Sequence, residues 1–335
     1  MSGFKELDSV IFSPYTYTED ILGLAMRYGY EPSIVYRYVE TLGYQGATEL
    51  LDVNERPLPE TIRCNDYLVD CDTLKSRLEG KGFKLAKLPL APHGFEVLEA
   101  PISVGATHEY LQGYYYIQDP GSMIVVYILD PKPGELIVDM AAAPGGKATQ
   151  ILQLTRDKAR LVAVDISKRR MKALRSHMQR MGFTNYIAVR MDARLLPETI
   201  KAERVLLDAP SSGEGIIRKD PGRRRKGRVE DIKAVHKLQL SLLEKAVKLV
   251  ADEGVIVYSA CSTAVEEGEY VVHKILETHG EIHVIEPNGK FRLSQGITYY
   301  RGVKLNPEVA RCVRLWPHIH GTEGFFICKL LKTRR

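Results

Sequence analysis

The sequence predicts a doubly wound α/β fold with a mostly parallel sheet, preceded by a small α+β module and a helical extension. Three observations carry this. From about residue 111, short apolar runs alternate with amphipathic stretches of helical period. Four successive runs there lead into an acid: Asp139, Asp165, Asp192 and Asp208. Ahead of that region the pattern is helical at first and then broken by prolines and glycines.

Residues 18–42 read as two helical pieces split by GYEPS. Ile21, Leu22, Leu24 and Ala25 give one apolar face, and Ile34, Val35, Tyr38 and Val39 give another. NERPLPETIRCN, 54–65, is a Pro-broken connection into a short strand. DTLKSRLEGKGF reads as a helix ended by glycine, and GFEVLEA as a further strand. The expected units are a helical extension over 1–54, an α+β module over 55–110 and an α/β domain over 111–335. In the last, ELIVDM, RLVAVDIS, YIAVRMD, ERVLLDAP and GVIVYSA are strands, and KATQILQLT and KRRMKALRSHMQRMG are helices. A long helix over about 229–251 places Ile232, Val235, Leu238, Leu242, Ala246 and Leu249 on one face.

A chain of 335 residues with 44% hydrophobic and 27% charged residues is ordinary for a soluble globular protein. MSGFKELDSV has no basic region followed by an apolar run, and no apolar stretch approaches the ~20 residues that span a bilayer. No signal peptide and no membrane partner are expected. The five cysteines, Cys64, Cys71, Cys261, Cys312 and Cys328, are an odd number without a CxxC pair. That argues against a disulfide framework or a zinc ribbon and for a reduced, cytoplasmic protein. Cys312 and Cys328 lie in apolar surroundings and read as core. His318 and His320, in WPHIHG, have no evident further ligand, so no metal is expected.

Charge is concentrated rather than spread. RKDPGRRRKGR, 218–228, carries a net +6, more than the +5 of the whole chain. Arg218, Lys219, Arg223, Arg224, Arg225, Lys226 and Arg228 therefore point to a polyanion such as nucleic acid.

Asp after a strand is most often a helix cap. Four on one rim suggest a ligand site, because doubly wound sheets bind beyond the carboxyl ends of their strands. The first crossing, DMAAAPGGK, has small residues and two glycines that let a ligand approach the backbone at a helix N-terminus. Asp165 lies 20 residues beyond Gly145, where an acid can hold ribose hydroxyls. An adenosine-bearing ligand fits, and the missing GxGxxG disfavours NAD.

DMAAAPGGKATQ, VAVDIS, RMDAR, LLDAPSSGEG and VYSACS resemble, in order, the motifs of the Sun (Fmu) family of S-adenosylmethionine-dependent RNA cytosine-5 methyltransferases. YYYIQDPGSM and GTEGFFICKL resemble the family's flanking motifs, and the similarity covers roughly 55–335. The resemblance implies a Rossmann-like catalytic domain behind a small RNA-binding module. It places S-adenosylmethionine against Ala141, Ala142, Ala143, Pro144, Gly145, Gly146 and Lys147, with Asp165 on its ribose, Asp192 near its adenine, and Arg170 and Asp208 nearby. Asp208 and Lys147 would hold a flipped cytosine, and Cys261 would be the nucleophile. The family has cysteine where this chain has Ser211.

The chemistry asks for these groups. Carbon 5 of cytosine attacks a methyl sulfonium poorly until a thiolate adds at carbon 6 and makes an enamine. A free cysteine ionises near pH ~8.5, so basic neighbours are expected to favour the thiolate. A carboxyl at Asp208 can bind the exocyclic amine and N3. The target must be unpaired or flipped. Because the family's nucleophile lies in the later TCS motif, matched here by ACS, Ser211 spares attack but removes the thiol associated with product release. The leading reading is an RNA cytosine-5 methyltransferase acting as a monomer, with transfer RNA placed first and ribosomal RNA as the alternative. The competing reading is an RNA-binding protein that keeps the cofactor fold but releases product too slowly to turn over. A small-molecule methyltransferase is disfavoured by the basic loop. DAPS in place of (D/N)PP(Y/F) disfavours methylation of an exocyclic amine.

Overall fold

The computed structural model describes residues 2–287 and 293–334. Among them no helix is long and apolar enough to cross a membrane. The chain begins with three helices, Ser2–Ile11, Glu19–Tyr28 and Pro32–Asn54. The second is capped by the Thr18 hydroxyl, which accepts from the amide of Ile21, and ends at Gly29 in the left-handed region (φ 70°). The third bends at Gly43, whose φ of 71° breaks the helix locally. The predicted faces are buried at Ile21, Leu24, Ala25, Ile34, Val35 and Tyr38, whereas Leu22 is exposed. They pack with Ile217 and Trp316 of the α/β domain, so the extension shares a core with that domain.

A small antiparallel sheet follows, in the order β2-β3-β1-β4. Its strands are β1 (Thr61–Cys64), β2 (Lys84–Lys87), β3 (Gly94–Glu99) and β4 (Tyr115–Ile117). Helix Cys71–Glu79 covers it, capped by Asp70 and closed over Leu74, Leu78 and Phe95. β4, from the stretch just beyond residue 110, pairs with β1. The small sheet thus delivers the chain directly to helix Pro120–Leu129 at the edge of the large one.

The large sheet contains β5 (Leu136–Asp139), β6 (Arg160–Asp165), β7 (Tyr186–Arg190), β8 (Ala202–Ala209) and β9 (Val250–Ala260), all parallel to their neighbours in this group. It continues with β10 (Ile282–Val284), β11 (Ser294–Gln295), β14 (Val313–Leu315) and β15 (Phe325–Lys332), with a separate two-stranded hairpin of β12 (Tyr299–Tyr300) and β13 (Val303–Lys304) between β11 and β14. The order is β11-β14-β15-β9-β8-β5-β6-β7, with β10 on β15. The sequence does not resolve the antiparallel half beyond β9, because β10, β11 and β14 are only two or three residues long, too short for a periodic pattern to show. Along β8 and β9, Val205, Leu207, Ile256 and Tyr258 face one hydrophobic layer and Leu206 and Val257 the other. Helix Val229–Leu249 covers the first layer; helices Pro120–Leu129, Gly146–Leu154 and Lys168–Arg180 cover the second. The chain reverses its direction of travel between β5 and β8. That switch point opens a crevice beyond their carboxyl ends, where Asp139 and Asp208 lie.

The expectation of reduced cysteines is overturned for four of the five. Cys64 bonds to Cys71, and Cys312 to Cys328. The first pair joins the end of β1 to the start of the next helix. The second sits one step along the β14–β15 ladder from Val313 opposite Ile327. Sheet register brings these partners together, and a search for CxxC spacing does not see it. Cys312 and Cys328 are nevertheless core, as their apolar surroundings predict. Intracellular disulfides occur in hyperthermophiles, so the bonds do not decide the compartment.

Candidate active site

The loop from β5 to helix Gly146–Leu154 is the floor of the site. Ala142 and Ala143 are buried, and Ala143 is joined to Pro144 by a cis peptide. Gly145 has φ 116°, and a Cβ on it would stand 3.1 Å from Leu174 Cδ1. The turn therefore requires glycine on both conformational and steric grounds. Arg170 donates to the Ala143 carbonyl and lies 3.3 Å from Asp165, tying the next helix to the loop.

Two cavities meet at Ala141. One, of about 210 Å³, is lined by Asp165, Ile166, Arg170, Asp192 and Pro210. The other, of about 190 Å³, is lined by Tyr116, Asp119, Ser122, Lys147 and Asp208. Three of the four strand-end acids thus face this continuous crevice. Asp165 accepts from the Ser167 amide at 2.8 Å. Asp192 is paired with Arg194 at 2.6 Å, and that bond holds its carboxyl below the usual range. The fourth acid, Asp139, is buried beneath the floor. Burial first, and then the Asp208 and Asp165 charges, push it up to about 7, against a stabilising bond from the Ala141 amide. Its Oδ2 has no hydrogen-bond partner.

Lys147 links the floor to β8. Its ammonium donates to Asp208 Oδ2 at 2.7 Å and to Ser122 Oγ at 2.9 Å, and lies 5.4 Å from the Phe325 ring centre. Burial lowers its pKa, but Asp208 and Cys261 outweigh this and hold it above its ordinary value. Ser259 donates to the other oxygen of Asp208 at 2.8 Å. Both oxygens of that carboxylate are therefore oriented before any substrate arrives.

Cys261, at the end of β9, is the only free cysteine, and it is partly exposed. Burial raises its thiol well above the usual value, Asp208 raises it further, and Lys147 lowers it; Glu323 and Asp119 add to the rise. The expected basic surroundings thus reduce to Lys147. Burial first, and then the carboxylates around the thiol, favour its protonated form. Ser211 donates to the carbonyl oxygen of Cys261 at 3.3 Å, so its hydroxyl is turned to the backbone.

The loops around Cys261 are fastened by backbone contact. The Gly215 amide donates to the Cys261 carbonyl at 3.2 Å, and the Gly324 amide to the Gly215 carbonyl at 2.8 Å. A Cβ on Gly215 would fall 1.9 Å from Gly324 O, so only glycine fits. Glu214, next in the loop, is buried against Arg37 of the N-terminal extension. The Arg37 guanidinium also donates to Gly227 O at 2.9 Å and to the Tyr15 hydroxyl at 3.1 Å. No local signal in the sequence announces a partnership across 177 residues. Asp119 and Glu323 lie in stretches the sequence singles out, but nothing in their spacing assigns them a part.

The basic segment divides in two. Arg218 donates to the carbonyls of Arg56 and Pro57 at 3.0 Å, Lys219 pairs with Asp119 at 2.6 Å, and Arg223 donates to Ser212 O at 2.7 Å. Arg224 lies 3.1 Å from Glu55. Arg225, Lys226 and Arg228 are exposed and, among the described residues, without an ion-pair partner. Among those residues no cluster of three or more His, Cys, Asp or Glu could hold a metal. His320 instead accepts from the Trp316 amide at 2.8 Å.

A switch-point crevice walled by Asp165 and Asp192, with a glycine turn for its floor, suits a nucleoside ligand. The fold and site together define the doubly wound class of S-adenosylmethionine-dependent methyltransferases. The family model described as 16S rRNA methyltransferase RsmB/F matches residues 126–331, and that of the N-terminal domain of RsmF matches 32–120. The chain belongs to this RsmB/F family.

The 25S rRNA (cytosine-C(5))-methyltransferase nop2 of Schizosaccharomyces pombe is 34% identical over 99% of this chain and 56% of its own length. Ribosomal RNA small subunit methyltransferase F of Shewanella amazonensis is 34% identical over 83% of this chain and 59% of its own. The chain spans about half the length of the curated relatives it matches. Among solved structures, a methyltransferase homolog from Pyrococcus horikoshii superposes with a TM-score of 0.85 at 33% identity, covering 94% of this chain and all of that one. NSun6 from Pyrococcus horikoshii, solved with SFG, an S-adenosylmethionine analogue, gives 0.79 at 25% identity, covering 90% of this chain and 98% of that one.

Proposed function

We propose that the protein transfers a methyl group from S-adenosylmethionine to carbon 5 of a cytosine in RNA, through a covalent adduct with Cys261. The observation that carries the reading is the Lys147–Asp208 pair, 2.7 Å apart at the switch point, in the electrostatic field of the lone free thiol. Ribosomal RNA is the substrate we put first, supported by the names of relatives such as the 25S rRNA (cytosine-C(5))-methyltransferase nop2; transfer RNA is the alternative.

When bound, S-adenosylmethionine supplies an electrophilic methyl group. Asp165, Asp192 and the 141–147 loop hold its nucleoside end. Asp208, fixed by Ser259 and Lys147, accepts from the cytosine exocyclic amine. Lys147 offsets negative charge as Cys261 adds to carbon 6. The thiol's raised pKa means that its proton must leave sulfur before attack on carbon 6. Arg225, Lys226 and Arg228 meet RNA phosphates, while Arg218, Arg223 and Arg224 hold the loop that carries them.

Labelled S-adenosylmethionine is incubated with the protein and either ribosomal or transfer RNA. The expected result is 5-methylcytosine in RNA and a denaturation-resistant protein–RNA adduct, both lost in Cys261→Ala. Label in neither RNA would overturn the reading. Ser211 favours one second reading, an RNA-binding protein that completes a single methylation. Fewer than one methyl group per protein, all of it in the adduct, would establish it.

A further inference from the structure

With cysteine absent at position 211, some other group must take the carbon-5 proton that has to leave before product is released. Ser211 is a poor candidate. Its hydroxyl is engaged by the Cys261 carbonyl and ionises far less readily than a thiol. The cavity beside Lys147 contains two carboxylates, Asp208 and Asp119. Asp208 has both oxygens occupied, by Lys147 and Ser259, in an orientation suited to binding the base edge. Asp119 has a different setting. It precedes helix Pro120–Leu129 without a side-chain capping bond and is about one-fifth exposed; both its oxygens accept, at 2.7 and 2.6 Å, from the half-exposed Lys219, its one ion-pair partner among the described residues.

Behind Asp119 stands a second carboxyl, Glu323. It is 2% exposed and accepts from the amides of Gly121 and Ser122, at 3.2 and 3.1 Å. Those amides open the helix that Asp119 precedes, so the two acids sit at one helix N-terminus. The charges of both raise the Cys261 thiol. Resting on the methyltransferase reading above, we propose that Asp119 is a further catalytic residue, the base that removes the carbon-5 proton and so releases the RNA from Cys261.

In this step the C5–H bond breaks and its proton passes to the Asp119 carboxylate. The C5–H electron pair becomes the C5=C6 double bond, the C6–S bond breaks, and the sulfur leaves as thiolate with that bond's electrons. No external oxidant or reductant is needed. Burial, and then the charge of Asp119, push the carboxyl of Glu323 behind it up to about 7. Lys219 gives the step a link to substrate. An RNA phosphate that draws Lys219 away frees both oxygens of the Asp119 carboxylate to take the proton when substrate is in place.

The test uses the full chain, S-adenosylmethionine and the RNA that the wild type methylates. Asp119→Asn should keep the first-turnover methyl transfer, lower steady-state turnover by about 10²-fold or more, and accumulate denaturation-resistant adduct. Adding Ser211→Cys to Asp119→Asn should drain that adduct and restore turnover. Lys219→Gln breaks the same ion pair but keeps the carboxylate; it should raise KM for RNA without accumulating adduct. A first turnover that falls in step with steady state in Asp119→Asn overturns the proposal. So does an adduct level equal to wild type, or adduct that builds up equally in Lys219→Gln. A wild type that methylates no RNA overturns the methyltransferase reading itself, and is told apart because the comparison of variants then has no starting activity.

Discussion

Ser211 and Cys261 are joined through a serine hydroxyl that donates to the cysteine's own carbonyl oxygen, 3.3 Å away. Position 211 is therefore at the nucleophile's backbone, close enough for a thiol there to affect release. Ser211→Cys is expected to raise multiple-turnover rate and lower the standing adduct, with little change in the first turnover. Burst kinetics with labelled S-adenosylmethionine check this. A faster burst with unchanged steady state would place the residue in attack instead.

The pH dependence follows from the direction of the thiol shift. Cysteine reacts as thiolate, and burial together with Asp208 raises Cys261 above its ordinary value. At neutral pH the thiol form dominates, and raising pH increases the reactive fraction. Single-turnover methylation should therefore climb about tenfold per pH unit from 7 towards 9 if ionisation precedes attack. A flat profile there would mean that the proton leaves in concert with addition, or that bound RNA lowers the pKa.

Arg37 and Glu214 make a fully buried pair that ties the N-terminal extension to the loop beside Cys261. Arg37→Met leaves Glu214 buried without its cation, which costs about 3–5 kcal/mol. Glu214→Leu in the same chain should recover much of that loss. Denaturant unfolding reads both. An Arg37→Met midpoint equal to wild type would show that the extension is not fastened through this pair.

The division of the basic segment gives opposite outcomes for neighbouring residues. Neutralising Arg225, Lys226 and Arg228 together should weaken RNA binding and flatten the log Kd against log salt slope by about 2 for a single strand. Arg224→Gln, which breaks the Glu55 contact, should act first on stability and little on that slope. Fluorescence anisotropy across a salt series separates the two. Equal slope changes would mean that Arg224 leaves its partner to meet RNA.

Asp165 lies at the cofactor cavity with its carboxyl 4% exposed as a residue and paired to Arg170. Asp165→Ala should raise KM for S-adenosylmethionine by about 10- to 100-fold while leaving RNA affinity near wild type, since a hydrogen bond to a charged group contributes about 1.5–3 kcal/mol. Calorimetric titration with S-adenosylhomocysteine measures it. An unchanged Kd would remove Asp165 from the cofactor site.

The sequence by itself determined the α/β alternation, the strand-end acids, the glycine turn and the single thiol motif at 261. Each is a local pattern, set by side-chain period along a strand or helix or by a few consecutive residues, and such patterns survive in one dimension. Only the tertiary structure decided what meets across distance. Sheet register paired Cys312 with Cys328, which spacing rules had left as free core residues. Packing of the extension turned Arg37 to Glu214, and the basic loop was split between residues that hold the fold and residues that face solvent. The thiol's surroundings also depended on the fold, because Asp119, Asp208 and Glu323 come from separate segments and converge only at the switch point. Burial and charge add up in space, and the order of residues along the chain does not carry that sum.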